Sequence, residues 1–72
     1  MRSRLKDYDV LVHDHGTLIT FELQSIDAKA WALECVDVQP GMETNSGFHC
    51  ERRFAMGIAG GMEKAGIEVM WM

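Results

Sequence analysis

Three neighbouring residues, His13, Asp14 and His15, form a local pattern whose side chains are those of a metal site. Imidazoles two apart on a strand project from the same side, and a carboxylate is a further ligand type. Later in the chain three more possible ligands are consecutive, namely His49, Cys50 and Glu51. Against a metal site, we expect His15 to occupy a turn, and no Cys-x-x-Cys or His-x-x-x-His spacing accompanies the pair. A small metal-binding regulatory protein that uses His13 and His15 is therefore kept as an alternative, and no metal or cofactor is assigned.

Nucleophilic catalysis is not favoured by the sequence. Cys50 follows His49 directly, and successive side chains on a strand point to opposite faces, so the two cannot act on each other. The glycines at 57, 60 and 61 lie within a helical pattern, whereas a phosphate-binding loop lies between a strand and a helix start. We therefore predict that the protein is not an enzyme.

A β-hairpin is predicted over residues 9–23, and the rest of the chain must pack against it. The turn is placed at 14–17, because Gly16 supplies the positive φ that a tight reversal needs. We predict strands over 8–13 and 17–24. The second strand alternates with period two and presents its apolar residues to one face, namely Ile19, Phe21 and Leu23.

A helix is predicted over residues 26–36, with Ser25 as its N-cap and Asp27 complementing the dipole in the first turn. Apolar residues recur there at helical spacing, as Ala28, Trp31, Ala32 and Cys35. A loop over 37–47 then contains the single proline and is long for so small a domain. That length makes the loop a candidate binding surface.

The remainder is predicted to form a strand over 47–51, a helix over 52–65 and a last strand over 67–72. The second helix has an apolar stripe at a spacing of four, consisting of Phe54, Ile58 and Met62. Its interior glycines are costly in a helix, so we expect close packing against the sheet or a second copy. The predicted fold is α+β: a two-layer ββαβαβ sandwich in which two helices cover one face of a four-stranded mixed sheet.

Composition indicates one small ordered domain. The chain has 72 residues, of which 47% are hydrophobic and 25% charged. We divide it into a flexible basic arm, 1–7, and a single domain, 8–72.

The charge of the chain is mainly acidic. Apart from the three basic residues of the arm, the chain has four basic and eleven acidic side chains. That balance disfavours nucleic-acid binding, which needs clustered basic side chains, and favours a partner with a basic protein surface. No apolar run has the length of a membrane helix and no secretory signal is evident, so a cytoplasmic protein with two buried thiols is expected.

Several of these segments together resemble a family of short uncharacterised bacteriophage and prophage proteins. Members carry an Asn-His-Gly-Ser/Thr turn, a tryptophan in the first helix and a basic-aromatic pair that leads into a helix ending before Gly-Leu/Ile-Glu-Val. The matching residues here are Trp31, Arg53-Phe54 and 66–69, with Asp14 as a conservative departure in the turn. The resemblance covers about residues 10–69. It implies a mobile-element origin and a shared fold, and no activity.

From these observations we predict a non-catalytic phage accessory protein that binds a host or phage protein. An inhibitor of a host defence complex, such as an anti-CRISPR protein, is an alternative by analogy. A homodimer through Met70, Trp71 and Met72, or through the glycine-bearing face of the second helix, is a further expectation. The residues predicted to form an interaction surface are Asp14, His15, Met42, Glu43, Asn45 and His49.

Overall fold

The computed structural model describes residues 8–72 as an α+β fold. The predicted arm, 1–7, lies outside the described residues. Six elements follow in chain order: β1 (Val10–Asp14), β2 (Leu18–Leu23), α1 (Ile26–Cys35), β3 (Gly47–Glu51), α2 (Arg52–Lys64) and β4 (Val69–Trp71). The predicted order ββαβαβ is confirmed, and element ends differ from the prediction by one or two residues.

The four strands form one mixed sheet in the order β3-β2-β1-β4. β2 pairs antiparallel with both β1 and β3, whereas β4 lies parallel to β1. The inner position predicted for β1 is confirmed. The hairpin turn contains Gly16 at φ +92°, where the carboxylate of Asp14 accepts the Gly16 N–H at 2.8 Å. That bond fixes the reversal through the local side chain, as a turn aspartate commonly does.

The core lies between one sheet face and the two helices. In the register, Val12 lies beside Phe21 and Phe21 beside Phe48, and all three are buried. The Phe21 and Phe48 rings stack with centroids 4.9 Å apart. The helices cover these side chains with small and flexible residues, mainly Ala28, Ala32, Ala55, Ala59 and Met62. Both helices therefore pack on the same face of the sheet, in two layers.

α1 begins as predicted. Ser25 is extended, and its hydroxyl oxygen accepts the Ala28 N–H at 3.0 Å. That bond satisfies one of the free donors at the helix start. Of the predicted stripe, Ala28 and Ala32 are buried and Trp31 packs partly buried against the core. Cys35 is exposed, because the helix ends there and the chain continues in an extended conformation at Val36.

α2 is rotated relative to the predicted stripe. Ala55, Ala59 and Met62 face the sheet, while Phe54 is 52% exposed and Ile58 is half-buried. The prediction that Phe54 lies in the core is therefore wrong. Small side chains let a helix axis approach a sheet closely, so the alanine face packs there. Phe54, one residue earlier, turns about 100° away from that contact.

Neither helix within residues 8–72 combines the length and the apolar character that a membrane crossing requires.

Candidate functional site

A groove of about 790 Å³ lies between α1, α2 and the edge strand β3. Trp31 forms one wall, and Phe54 and Ile58 form the other. Cys50 lies at the base and Met42, from the loop between α1 and β3, lies at the side. These lining side chains are mostly apolar, so the groove suits the side chains of a partner better than a charged small molecule.

Two glycines of α2 open this groove. Gly57 and Gly61 are four apart, so they lie on one helix face, and both line the groove. At Gly61 a Cβ would lie 3.1 Å from Trp31 Cζ2, which shows that the ring packs closely on the helix. At Gly57 a Cβ would meet nothing within 4 Å. The close packing predicted for the glycines is thus present at Gly61, while Gly57 leaves open space.

Charged residues border the mouth of the groove. The Arg53 guanidinium lies 4.8 Å from the centroid of the Phe54 ring, a cation–π contact. Arg53 Nε also donates to Glu51 Oε1 at 3.0 Å. Asp37 lines the groove from the loop side. Since Arg53 and Glu51 offset each other, Asp37 leaves the lining with a net negative charge.

The loop covers only half of the outer edge of β3. Two bonds join them: the Thr44 N–H donates to the Gly47 carbonyl at 2.9 Å, and the His49 N–H donates to the Met42 carbonyl at 2.7 Å. The loop then turns away at Gly41, where φ is +84°, and the Met42 N–H donates to the Gln39 carbonyl at 3.0 Å.

That turn leaves two backbone groups of β3 open at the groove. The Leu23 N–H donates to the Ser46 carbonyl, and the Arg52 N–H donates to the Thr17 carbonyl. Even-numbered residues from 46 to 52 therefore bond towards β2, and the odd-numbered residues of β3 direct their backbone groups away from β2. Among residues 8–72, the His49 carbonyl and the Glu51 N–H have no backbone partner at this edge. Both residues line the groove.

Both cysteines line the same groove and are free thiols. Cys50 is half-buried and Cys35 exposed, so the prediction of two buried thiols is wrong. Partial burial, and then the charge of Glu51, raise the pKa of the Cys50 thiol. A raised pKa keeps a thiol protonated and weakly nucleophilic near neutral pH.

The hairpin tip is tied to the start of α2. Arg52 forms an ion pair with Asp14, and Arg52 Nε donates to the Gly16 carbonyl at 2.7 Å. The hydrogen bond from the Gly16 N–H, and then the one from Arg52, lower the pKa of Asp14 below its ordinary value of 3.8. Asp14 therefore stabilises both the hairpin turn and the start of α2.

The histidines are associated with the opposite face of the sheet. His13 Nε2 lies 2.9 Å from Glu22 Oε1, and His49 Nδ1 lies 2.8 Å from Thr20 Oγ1. The rings of His13 and His15 stack with centroids 6.4 Å apart. Within residues 8–72, no group of three or more histidine, cysteine or acidic side chains is placed to hold a metal ion.

The predicted interaction residues do not form one surface. Asp14 and His15 lie at the hairpin tip, beside the Glu51 end of β3. Glu43 and Asn45 line a second, shallower hollow of about 500 Å³ near the opposite end of that strand. Met42 alone contributes a side chain to the groove wall, because the His49 side chain bonds to Thr20 on the other face.

Sequence reasoning missed Trp31 and Phe54 as groove walls, because both were assigned to the core. The available signal was the pair of glycines four apart in α2, which predicts a helix face without side chains. Comparison with models of known protein families, with curated proteins and with solved structures found no match.

Proposed function

We propose that this protein is a non-catalytic binding module that docks on another protein through the groove between α1, α2 and β3. One observation carries the proposal: Phe54 is 52% exposed at the mouth of an apolar groove that two helices and a strand edge enclose. An aromatic side chain beside a concave apolar surface is the usual anchor of a protein interface.

The absence of catalysis in this proposal is supported by the positions of the nucleophiles. Cys50 lies at the base of the groove, whereas the adjacent His49 bonds to Thr20 on the other sheet face. The two side chains cannot form a thiolate–imidazolium pair, and burial raises the pKa of the Cys50 thiol. Docking on another protein requires neither a thiolate–imidazolium pair nor a reactive thiol.

The resemblance to short phage proteins suggests a host or phage protein as the partner. The described residues contain four basic and ten acidic side chains, a formal charge of −6, so a basic partner surface is favoured. Self-association through β4 is a separate proposal, because Trp71 and Met72 are 40% and 57% exposed at this edge strand. A sedimentation experiment that finds only monomer at micromolar concentration would remove it.

Photo-crosslinking tests the docking proposal. Phe54 is replaced by p-benzoylphenylalanine, and in a matched control the same group replaces Met56, which is 71% exposed and does not line the groove. We expect a partner adduct in lysate of the source organism from position 54 and not from 56. The identified partner should then bind the purified protein.

A second pair of variants blocks the groove without disturbing the core. Gly57→Leu fills open space in the groove, whereas Gly60→Leu adds the same side chain outside it. We expect the first to weaken partner binding at least about tenfold, which corresponds to loss of one anchor contact, and the second to leave it unchanged. Equal binding by both variants would refute docking in the groove.

A further inference from the structure

We infer that the groove takes an extended, basic segment of the partner, which adds as a strand to the open half of the β3 edge. The inference rests on the proposed function and names the form of the partner. A sheet edge offers main-chain hydrogen bonds to any extended peptide, and adjacent pockets for alternate side chains give selectivity. The groove of this protein holds both features side by side.

The backbone provides one half of the recognition. The His49 carbonyl accepts and the Glu51 N–H donates, and both point away from β2. The loop already makes strand-like bonds to the preceding part of this edge, including an isolated bridge between Glu43 and Phe48. A partner segment therefore continues a pairing that the loop begins and that the turn at Gly41 ends.

The groove provides the other half. In a strand paired with β3, alternate side chains point to the helix-covered face, where they lie beside Cys50. From there the groove extends to Phe54 and to the open space at Gly57. An apolar side chain at every second position of the partner is buried in the groove. The side chains between them point to the opposite, more polar face of the sheet.

The overall charge of the protein favours basic residues at those intervening positions. The Glu51 carboxylate is already bonded to Arg53, and Glu22 lies opposite Gly47 at the covered end of β3, so the selection comes from Asp37 and from the net charge. Asp37 borders the groove, and the described residues carry a formal charge of −6. A segment that alternates apolar side chains with lysine or arginine matches the apolar groove and the acidic protein, whereas an acidic segment is repelled.

The test uses a synthetic nine-residue peptide of alternating lysine and valine, titrated into the full-length ¹⁵N-labelled protein. A second peptide has the same sequence with every backbone amide N-methylated, which keeps the charge and the side chains and removes the donor to the His49 carbonyl in either strand direction. A third has glutamate in place of lysine. Strand addition predicts that N-methylation and Gly57→Leu each weaken binding about tenfold, that Gly60→Leu does not, and that the acidic peptide does not bind.

Hydrogen exchange reports the mode of binding directly. At saturation with the first peptide, exchange of the Glu51 amide should slow at least about tenfold, because a strand bond replaces water. If the two lysine peptides bind equally, or the Glu51 amide stays unprotected, strand addition is overturned while docking in the groove stands. If no peptide binds, the inference falls, and the crosslinking experiment alone decides the proposed function.

Discussion

Gly47→Ala is expected to be severely destabilising, because a Cβ at Gly47 would collide with the backbone of β2. An ideal Cβ at this position would lie 1.8 Å from the Phe21 carbonyl oxygen and 2.9 Å from its carbonyl carbon. A normal carbon–oxygen contact is about 3.3 Å or longer. The obstacle is backbone, so no side-chain rotation relieves it, and the strands must separate locally by about 1.5 Å.

The magnitude follows from what such a separation breaks. The Leu23 N–H donates to the Ser46 carbonyl at 2.7 Å, and this bond and the neighbouring one of the Phe21–Phe48 pair would be lost. Each contributes about 1 kcal/mol net, and a donor left buried costs a further 1–3 kcal/mol or so. Weakened stacking of Phe21 on Phe48 adds about 0.5–1.5 kcal/mol. These contributions add up to a loss of roughly 3.5–6.5 kcal/mol, against a total of about 4–11 kcal/mol for a chain of this length.

Urea denaturation followed by far-UV circular dichroism measures this loss. The matched control is Gly57→Ala, since a Cβ there meets nothing within 4 Å and alanine favours the helix by up to about 1 kcal/mol. The expected order of midpoints is Gly57→Ala, then wild type, then Gly47→Ala. A Gly47→Ala variant within about 1 kcal/mol of wild type, at an unchanged denaturant slope, would refute the close approach of β3 to β2.

Three further predictions concern α2, the hairpin and the thiols. Gly61→Ala should gain less than the roughly 1 kcal/mol of helix propensity, because its Cβ lies 3.1 Å from a tryptophan ring carbon, and urea midpoints check this. The Gly16 N–H, and then Arg52, lower the pKa of Asp14 in the folded protein. The ionised carboxylate therefore stabilises the fold at pH values above the pKa of the unfolded chain, near 3.8, and this stabilisation is lost as the pH falls through the lower pKa of the folded state. Asp14→Asn should therefore reduce the fall in melting temperature between about pH 5 and pH 2, and an unchanged profile would contradict the turn bond. Iodoacetamide at about pH 8 should modify Cys35 before Cys50, whose pKa is raised by burial, and equal rates by mass spectrometry would contradict that burial.

Local patterns were sufficient to predict the elements and the inner face of the hairpin. Period-two alternation identifies Ile19, Phe21 and Leu23 as one face, and all three are buried. The Ser25 cap is local chemistry and is confirmed. The position of β4 beside β1 was not predicted, because strand order depends on long-range pairing that periodicity does not encode.

The groove could not be predicted, because it depends on how α2 is rotated. The stripe that contains Phe54 and the one that contains Ala55 are one residue apart, and both end near Met62. Spacing alone does not decide between them. The choice is made by packing: alanines let the helix approach the sheet closely, and Trp31 then fits against Gly61. Phe54 thus lines the groove because the close approach of α2 to the sheet excludes its side chain from the core.

The half-covered edge of β3 also bears on selectivity. A fully open edge strand pairs with any exposed strand, including that of a second copy, and a fully covered edge binds nothing. Here the loop closes the edge as far as His49, and the turn at Gly41 leaves the rest open only where the groove begins. Two copies of a chain with a formal charge of −6 over residues 8–72 repel each other as a whole, which disfavours pairing between copies at that opening. A basic partner with apolar side chains at alternate positions meets no such repulsion, so the acidic surface and the loop turn together favour it over self-pairing at this edge.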